Sequence, residues 1–425
     1  MDNDISIIIR RGKMYTLNIL GDGRITLALL KRIIDFGLDK KIKKIVVWKR
    51  NKYIYEQGSI IEKTDTMSED IIGIHTLNAL GVDRYNEIRK KIIFCRYSSI
   101  EELQQIDLCN KECILLILTK YKLKELFYIS DDEKYNFNND VHVELFKKRY
   151  GLFFSMLDKK NYDNKRWYLE YCRLKEKYAI YDARLDYLNS EIAVGSDRLY
   201  NLKDSTLCIN SLANVLKKDI RINGLIINMV NEVDATNYIL YKRMKLDVTH
   251  IISPCENDNY RANYFMRKHL EDEELTDFKL NVLGPHNYLC FISSDIIDEK
   301  WNDDKKKQYK LLLEKVHKEV SEFGEKIFEK KRSSDEDTVD GLYDALQAVI
   351  CNLKDKVFRA SYYSKKYEHF TGIPVRFVDS KFLPVESMMD FTSENVKEKF
   401  DKGLKSQIII DDVLDAILKK EKTAV

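Results

Sequence analysis

The stretch "KMYTLNILGDGRITLALLKRIIDFGL", residues 13–38, contains the pattern that decides the fold. Its first eight residues alternate like a strand and end at Gly21. The residues that follow, 24–38, repeat apolar side chains at helical spacing, at Ile25, Leu29, Ile33 and Phe36. The β-branched run "KKIKKIVVWK" (40–49) predicts a second strand, so the whole segment is expected to form a βαβ unit with parallel strands.

The alternation of strand and helix continues along the chain. Strand-like runs occur at 90–97 and 113–119, with a short helical pattern between them. This rhythm predicts an α/β fold with a Rossmann-type doubly wound parallel sheet. We expect a dinucleotide-binding domain at 13–250, interrupted by a mainly helical insertion at about 120–194, and an α+β catalytic and substrate domain at 251–425.

The insertion contains one strong helical pattern. Between positions 166 and 192, apolar and aromatic residues recur at alternating spacings of four and three, which places them on one seam of a long helix. Such a seam needs a partner surface. Its own domain, the preceding segment 141–157 and another subunit all remain candidates for that surface.

Composition excludes several classes of protein. The 425 residues carry 72 basic and 69 acidic side chains, interspersed along the chain, so the net charge of +3 gives no general attraction to nucleic acid or to an anionic membrane. The longest apolar runs, at 114–118 and 224–230, are too short to span a bilayer. The eight cysteines occur singly, and the N-terminal residues do not resemble a secretory signal. We therefore expect reduced thiols and a cytoplasmic location.

The glycine turn "GDGRIT" (21–26) is the first candidate binding site. In a dinucleotide site the first glycine makes the turn, the second admits the pyrophosphate, and the helix N-terminus donates its free amides. Gly21 and Gly23 fit this pattern, whereas Thr26 occupies the position where a third small residue lets helix and strand pack closely. A tight turn without a ligand is the alternative interpretation.

The end of the second strand leaves the cofactor open. An acidic residue that accepts hydrogen bonds from the ribose hydroxyls is expected there, but Trp48 occupies the place and Lys49 and Arg50 follow. Three interpretations remain: the two cations hold the 2′-phosphate of NADP, the dinucleotide site is weakened, or no dinucleotide binds. Two neighbouring cations at a sheet edge are also commonly just solvated.

Short polar motifs in the second half follow one another in a recognisable order. They are "GSDRLYNL" (195–202), "NEVD" (231–234), "NDNYR" (257–261), "GPHN" (284–287) and the tail "VFRASYY…FTGIPVRF…LPV" (357–385). Together with the glycine turn they resemble the lactate and malate dehydrogenase family, over nearly the whole chain apart from the insertion and the residues before the first strand. The resemblance implies an enzyme, usually a homo-oligomer, that transfers a hydride between NAD, or NADP, and a small 2-hydroxy or 2-oxo acid.

The resemblance also implies a role for each matching residue. Asp258 orients the catalytic histidine, His286, which exchanges a proton with the substrate oxygen. Arg261, one helical turn from Asp258, holds the substrate carboxylate in a bidentate ion pair. Arg198 binds the substrate and polarises its carbonyl, and Asn231, at the end of a predicted strand, hydrogen-bonds near the reacting oxygen. The implied cofactor-binding residues are Gly21, Gly23, Trp48, Lys49 and Asn231.

Other interpretations remain for the same residues. Asp258 and Arg261 are also compatible with a surface ion pair, Asn231 with a helix cap, and His286 with a structural histidine beside a proline turn. The chain departs from the family at Thr26, Trp48, Thr119, Lys120, Glu232 and Asn287. These departures, with the insertion, leave the identity of the 2-hydroxy acid open.

Two further hypotheses therefore stand beside the dehydrogenase. In the first, the chain has kept the fold without hydride transfer and acts as a binding or assembly module built on the insertion. In the second, it resembles the metal-requiring, NAD-dependent glycosidases, which place a cysteine and a histidine on the metal. Cys255 lies near the right place for that cysteine, but Glu256 rather than a histidine follows it.

Overall fold

The computed structural model of the protein describes most of the chain outside the insertion. The described residues are 13–21, 24–50, 53–56, 59–62, 82–97, 99–118, 205, 208–217, 221–269, 280–285, 289–293, 302–331, 335–389, 396–405, 407–408 and 411. The predicted helical seam at 166–192 lies outside them, as do Gly23, Arg198 and His286. Within these ranges no helix is long and apolar enough to cross a membrane. The seven cysteines in these ranges are free thiols.

Strands and helices alternate through the first part of the chain. The strands are β1 (Tyr15–Leu20), β2 (Ile42–Arg50), β3 (Tyr53–Glu56), β4 (Ser59–Glu62), β5 (Ile92–Tyr97), β6 (Cys113–Ile117), β7 (Leu225–Asn228), β8 (Ile251–Pro254), β9 (Leu280–Leu283), β10 (Cys290–Ser293), β11 (Val357–Ser364), β12 (His369–Val378) and β13 (Lys381–Pro384). The helices are α1 (Arg24–Asp35), α2 (Val82–Arg89), α3 (208–216), α4 (Val233–Met244), α5 (Glu256–His269), α6 (Asp303–Lys331), α7 (Asp335–Cys351) and α8 (396–405).

Nine of these strands form one mixed sheet, in the order β13-β12-β11-β8-β7-β6-β1-β2-β5. Six neighbouring strands, β8, β7, β6, β1, β2 and β5, are parallel to one another. Numbered along the chain, their spatial order is 3-2-1-4-5-6, which is that of a doubly wound dinucleotide-binding sheet. Strands β11, β12 and β13 extend the sheet in antiparallel fashion beyond β8. The predicted α/β fold of the Rossmann type is therefore confirmed.

The central strands are buried on both faces, which explains their unbroken apolar runs. Every residue of β6 and β7 is buried. Helices α1 and α7 cover one face with Leu29, Leu30, Ile33, Leu346 and Val349. Helices α3 and α4 cover the other face with Ile209, Leu216, Ile239 and Leu240. Each such side chain contributes roughly 1.5–3 kcal/mol on full burial, so the sheet provides a rigid base for the loops at its edge.

The parallel strands bring their carboxyl ends to one edge of the sheet, where ligands of this architecture bind. Gly21 follows β1, and Cys255 follows β8. Strand β7 ends at Asn228, so the expectation that it extends to Asn231 is wrong by three residues. Strand β8 belongs to the same parallel sheet although it begins at Ile251. The sheet thus crosses position 250, and the division into two domains there stays a prediction.

Candidate functional site

The first turns of α5 carry the two charged residues of the D-x-x-R pattern. Strand β8 ends at Pro254 and α5 begins at Glu256, which places Asp258 and Arg261 near the helix N-terminus. Asp258 is 2% exposed and Arg261 is 9% exposed. A spacing of three puts both on one face of the helix. The alternative of a solvated surface pair is therefore wrong, because both residues are buried.

Asp258 is bound by an arginine from a distant part of the chain. Arg359 of β11 donates from Nη1 to Asp258 Oδ2 at 2.5 Å and to the Cys255 carbonyl oxygen at 3.0 Å. Its Nη2 donates to the Gly284 carbonyl oxygen at 2.7 Å. Its backbone N–H donates to Glu256 Oε2 at 2.5 Å. One buried arginine thus joins the end of β8, the start of α5 and the turn after β9.

The turn after β9 is the part of the chain that leads to His286. Gly284 has a φ of 96° and exchanges two backbone hydrogen bonds with Gly372 of β12, of 2.9 and 3.0 Å. A Cβ atom at Gly372 would overlap with the Arg359 guanidinium and with the Gly284 carbonyl oxygen. Glycine is therefore required at position 372 by this close approach. The anchored Gly284 lies two residues before His286 in the sequence.

The charges around Arg359 keep it protonated. Burial by itself lowers the pKa of the Arg359 guanidinium, but the Asp258 and Asp234 carboxylates outweigh that effect and the pKa is raised. Burial also raises the pKa of the Cys255 thiol to about 12, although Arg359 acts in the opposite direction. Cys255 is therefore a neutral thiol in this structure at neutral pH. The described part of the chain contains no group of three or more potential metal ligands.

Asn231 lies at the carboxyl edge of the sheet, in the loop between β7 and α4. Its side chain is exposed, whereas Asn228 at the end of β7 is fully buried. The Asn228 amide donates to Thr236 Oγ1 at 2.8 Å and to Asn237 Oδ1 at 2.9 Å, and these bonds fix the loop. The N-cap of α4 is Glu232, so the interpretation of Asn231 as a helix cap is wrong.

The glycine turn after β1 is held by two hydrogen bonds. Gly21 has a φ of 118°, and its N–H donates to the Trp48 carbonyl oxygen at 2.9 Å. The hydroxyl of buried Thr26, in the first turn of α1, donates to the Gly21 carbonyl oxygen at 2.9 Å. Thr26 thus fixes the turn against the helix. The N-terminus of α1 follows the turn directly, in the place where a helix offers amide donors to phosphate.

Several solved structures that match this fold over almost the whole chain are malate or lactate dehydrogenases. The malate dehydrogenase of Plasmodium falciparum matches with a TM-score of 0.59 at 11% identity, over 95% of this chain and 100% of its own. The fold is that of the malate and lactate dehydrogenases. The Plasmodium falciparum malate dehydrogenase in complex with NADH matches with a TM-score of 0.56 at 10% identity, over 95% of this chain and 99% of that one.

A lactate dehydrogenase also matches the chain, besides the malate dehydrogenases. MGS-M5, from a Medee basin deep-sea metagenome library, gives a TM-score of 0.52 at 11% identity, over 95% of this chain and 99% of its own. No protein-family model and no curated protein matches the sequence. The structural matches establish the dehydrogenase fold. Because the sequence identities are this low, the activity has to be argued from the site.

Trp48 takes up a core position in this dehydrogenase fold. It is 5% exposed and packs among the apolar side chains between the sheet and helices α3 and α4. Its indole Nε1 donates to Asn18 Oδ1 at 3.1 Å, and the Asn18 amide contacts the Cys113 thiol at 3.3 Å. The tryptophan therefore forms part of a buried hydrogen-bonded layer under the sheet.

Lys49 is the residue of β2 that lies beside the glycine turn. The register pairs Trp48 with Leu20, so the next residue, Lys49, is level with Gly21. Lys49 is 1% exposed, and its Nζ lies 5.6 Å from the centre of the Phe94 ring. The interpretation of this lysine as a solvated edge cation is therefore wrong.

The edge of the sheet fits part of a dinucleotide. The position of Gly21 directly before the N-terminus of α1 is suited to the pyrophosphate, which needs close backbone approach and amide donors. At the place where a dehydrogenase fold usually offers a carboxylate to the ribose, this chain has Trp48, and the cation of Lys49 follows it. A cation there suits a phosphate better than a pair of hydroxyls.

Sequence reasoning missed the most connected residue of the site, Arg359. The run "VFRASYYS" is part of the family pattern, but the resemblance implies no role for the one charged side chain in it. Its position in the strand indicates that it has a buried partner. Arg359 lies among the buried residues of β11, and an arginine is fully buried only when it has partners. The partner itself lies 101 positions away.

Proposed function

We propose that the protein is an NAD(P)-dependent oxidoreductase of the lactate and malate dehydrogenase type, which interconverts a 2-hydroxy acid and a 2-oxo acid. The observation that supports it most is the buried D-x-x-R face at the carboxyl edge of the sheet, where Asp258 and Arg261 lie 2% and 9% exposed on the same helix. Two buried charges in that place have a cost that function explains better than stability does.

Arg261 holds the substrate in this proposal. Its guanidinium pairs with the carboxylate of the acid through two parallel hydrogen bonds, which fixes both the position and the orientation of the carbonyl group. Arg198 polarises that carbonyl, and the exposed amide of Asn231 hydrogen-bonds beside the reacting oxygen. The substrate is therefore a small acid with a carbonyl or hydroxyl group next to its carboxylate.

His286 moves the proton. In reduction of a 2-oxo acid it gives a proton to the carbonyl oxygen, and in oxidation it removes the proton from the hydroxyl. Asp258 accepts a hydrogen bond from the other ring nitrogen and so fixes the imidazole. A bound nicotinamide supplies or accepts the hydride.

Gly21, Gly23 and the N-terminus of α1 hold the cofactor phosphates, with Asn231 at the nicotinamide end and Trp48 supporting the turn from below. Lys49 lies level with Gly21 and favours a 2′-phosphate, so that NADPH binds at least as well as NADH. The enzyme acts as a cytoplasmic homo-oligomer. The free thiols suit a reducing compartment.

Titration of the purified full chain with NADH and with NADPH, followed by cofactor fluorescence, tests the proposal. We expect micromolar binding of at least one of them, weakened by Lys49→Met and unaffected by Lys44→Met, a substitution at an exposed lysine of the same strand. Binding of neither cofactor at millimolar concentration would contradict the proposal and favour the hypothesis of a dehydrogenase fold retained as a binding or assembly module.

A further inference from the structure

Arg359 connects three segments that are distant in sequence. Its Nη1 contacts Asp258 Oδ2 at 2.5 Å and the Cys255 carbonyl oxygen at 3.0 Å, and its Nη2 contacts the Gly284 carbonyl oxygen at 2.7 Å. Arg359 is 2% exposed. The guanidinium is planar and its donors have fixed directions, so these contacts also fix the positions of the acceptors relative to one another.

The Gly284 end of this connection is rigid. The Gly284 carbonyl oxygen accepts from Arg359 Nη2 and from the Gly372 N–H, and the Gly284 N–H donates back to Gly372. The absence of a side chain at Gly372 leaves the space that the guanidinium occupies. The backbone two residues before His286 is therefore placed by Arg359 and β12 together.

The α5 end is equally well defined. The Arg359 backbone N–H donates to Glu256 Oε2 at 2.5 Å, and Glu256 also accepts from the Asn259 amide at 3.1 Å. Among the described residues, the charged or titratable groups that face the guanidinium include the Asp258 and Asp234 carboxylates and the Cys255 and Cys290 thiols. Strand β11 and the first turn of α5 are thus joined through both backbone and side chain.

We propose that Arg359 is a positioning residue, which holds the Asp258 carboxylate and the chain leading to His286 on one guanidinium and so sets their separation. The inference rests on the proposed function, in which Asp258 and His286 form a pair. Arg359 does not touch the substrate in this account. In the proposed function the Asp258 carboxylate also serves the His286 ring, so the positive charge of Arg359 limits how strongly Asp258 favours the imidazolium form.

The test is a pH titration of the His286 ring in the full chain labelled with ¹³C-histidine, with its signal assigned by His286→Gln. We expect Asp258→Asn to lower the midpoint of the titration, because a carboxylate is lost. Arg359→Met is expected to raise it by about half a pH unit or more, because Asp258 is then left to the imidazole alone. Arg376→Met, at an exposed arginine of β12, is the matched control and leaves the midpoint unchanged.

The conservative variant keeps the test decisive if Arg359→Met does not fold. Arg359→Lys retains the charge but loses the planar guanidinium, whose two terminal nitrogens reach separate acceptors. In an active enzyme we expect it to lower kcat about tenfold with little change in KM for the 2-oxo acid, because Arg261 still binds the carboxylate. An unchanged kcat in Arg359→Lys, or an unchanged midpoint in folded Arg359→Met beside a shifted one in Asp258→Asn, would overturn the inference.

The outcomes separate this inference from the proposed function. If both Asp258→Asn and Arg359→Met shift the His286 midpoint but the wild-type protein reduces no 2-oxo acid, Arg359 positions the pair as inferred and the proposed activity is wrong. If neither variant shifts the midpoint, no Asp258–His286 pair exists, and both are overturned.

Discussion

Asp258 and Arg359 form a buried ion pair, with 2.5 Å between Asp258 Oδ2 and Arg359 Nη1, across 101 positions of sequence. Both residues are 2% exposed. In a buried pair the loss of one partner leaves the other charge buried without compensation, whereas the loss of both leaves no uncompensated charge. The pair therefore predicts strong coupling between the two positions in the stability of the fold.

A double-mutant cycle measures that coupling. We expect Asp258→Asn and Arg359→Met each to lower the free energy of unfolding by about 3–5 kcal/mol, and the double variant to lose less than the sum of the two. Urea unfolding followed by circular dichroism provides the values. Additive losses would show that the two side chains do not interact in solution.

Arg261 has a different predicted role, in binding rather than in stability. We expect Arg261→Gln to lower kcat/KM for any 2-oxo acid by roughly a hundredfold, since removal of one partner of a buried charge pair costs about 3 kcal/mol. Arg267→Gln, at an exposed position of the same helix, is the matched control. An unchanged kcat/KM in Arg261→Gln would remove the residue from the substrate site.

Thr26 is predicted to stabilise the glycine turn through its hydroxyl group. Thr26→Val keeps the shape of the side chain and removes the 2.9 Å hydrogen bond to the Gly21 carbonyl oxygen. We expect a loss of about 1 kcal/mol in the free energy of unfolding and weaker binding of NADH or NADPH. Thr16→Val, on the adjoining strand β1, is the control. Equal cofactor affinity in wild type and Thr26→Val would show that the turn does not contribute to the binding site.

His250 is predicted to make stability depend on pH. Burial lowers the pKa of this histidine below its ordinary value of 6.5, with Lys381 and Arg221 acting in the same direction and Asp247 against it. The unfolded chain therefore takes up a proton near pH 6.5 that the folded chain does not, so the free energy of unfolding falls as the pH drops below that value. His250→Gln should flatten this part of the curve in urea titrations at several pH values. A curve of the same slope would assign the dependence to other groups.

The sequence predicts those features that depend on local pattern. The alternation in β1, the stripe of α1 and the β-branched run of β2 predict a parallel βαβ unit, because periodicity reports which faces are buried. The spacing of Asp258 and Arg261 likewise predicts their common face, which the helix confirms. Features that depend on pairing between distant segments are not encoded in this way, and the Arg359 contact with Asp258 is one of them.

Lys49 shows a second limit of sequence reasoning. A lysine at the end of a strand usually extends into solvent, and nothing in "IVVWK" distinguishes that case from burial. Burial follows from the packing of β5, whose Phe94 lies against the lysine. The alternation of faces does predict that Trp48 and Lys49 point to opposite sides of the sheet, and both side chains are buried there.

Deuterium transfer tests the proposed function most directly. The purified protein is incubated with NADH or NADPH that carries two deuterium atoms at the reactive carbon and with a set of small 2-oxo acids, and the hydroxy acids formed are analysed by mass spectrometry. We expect a 2-hydroxy acid with one deuterium at C2, formed by wild type and Arg267→Gln and nearly lost in Arg261→Gln. Absence of a labelled hydroxy acid from every 2-oxo acid, with cofactor bound, would contradict hydride transfer by this protein.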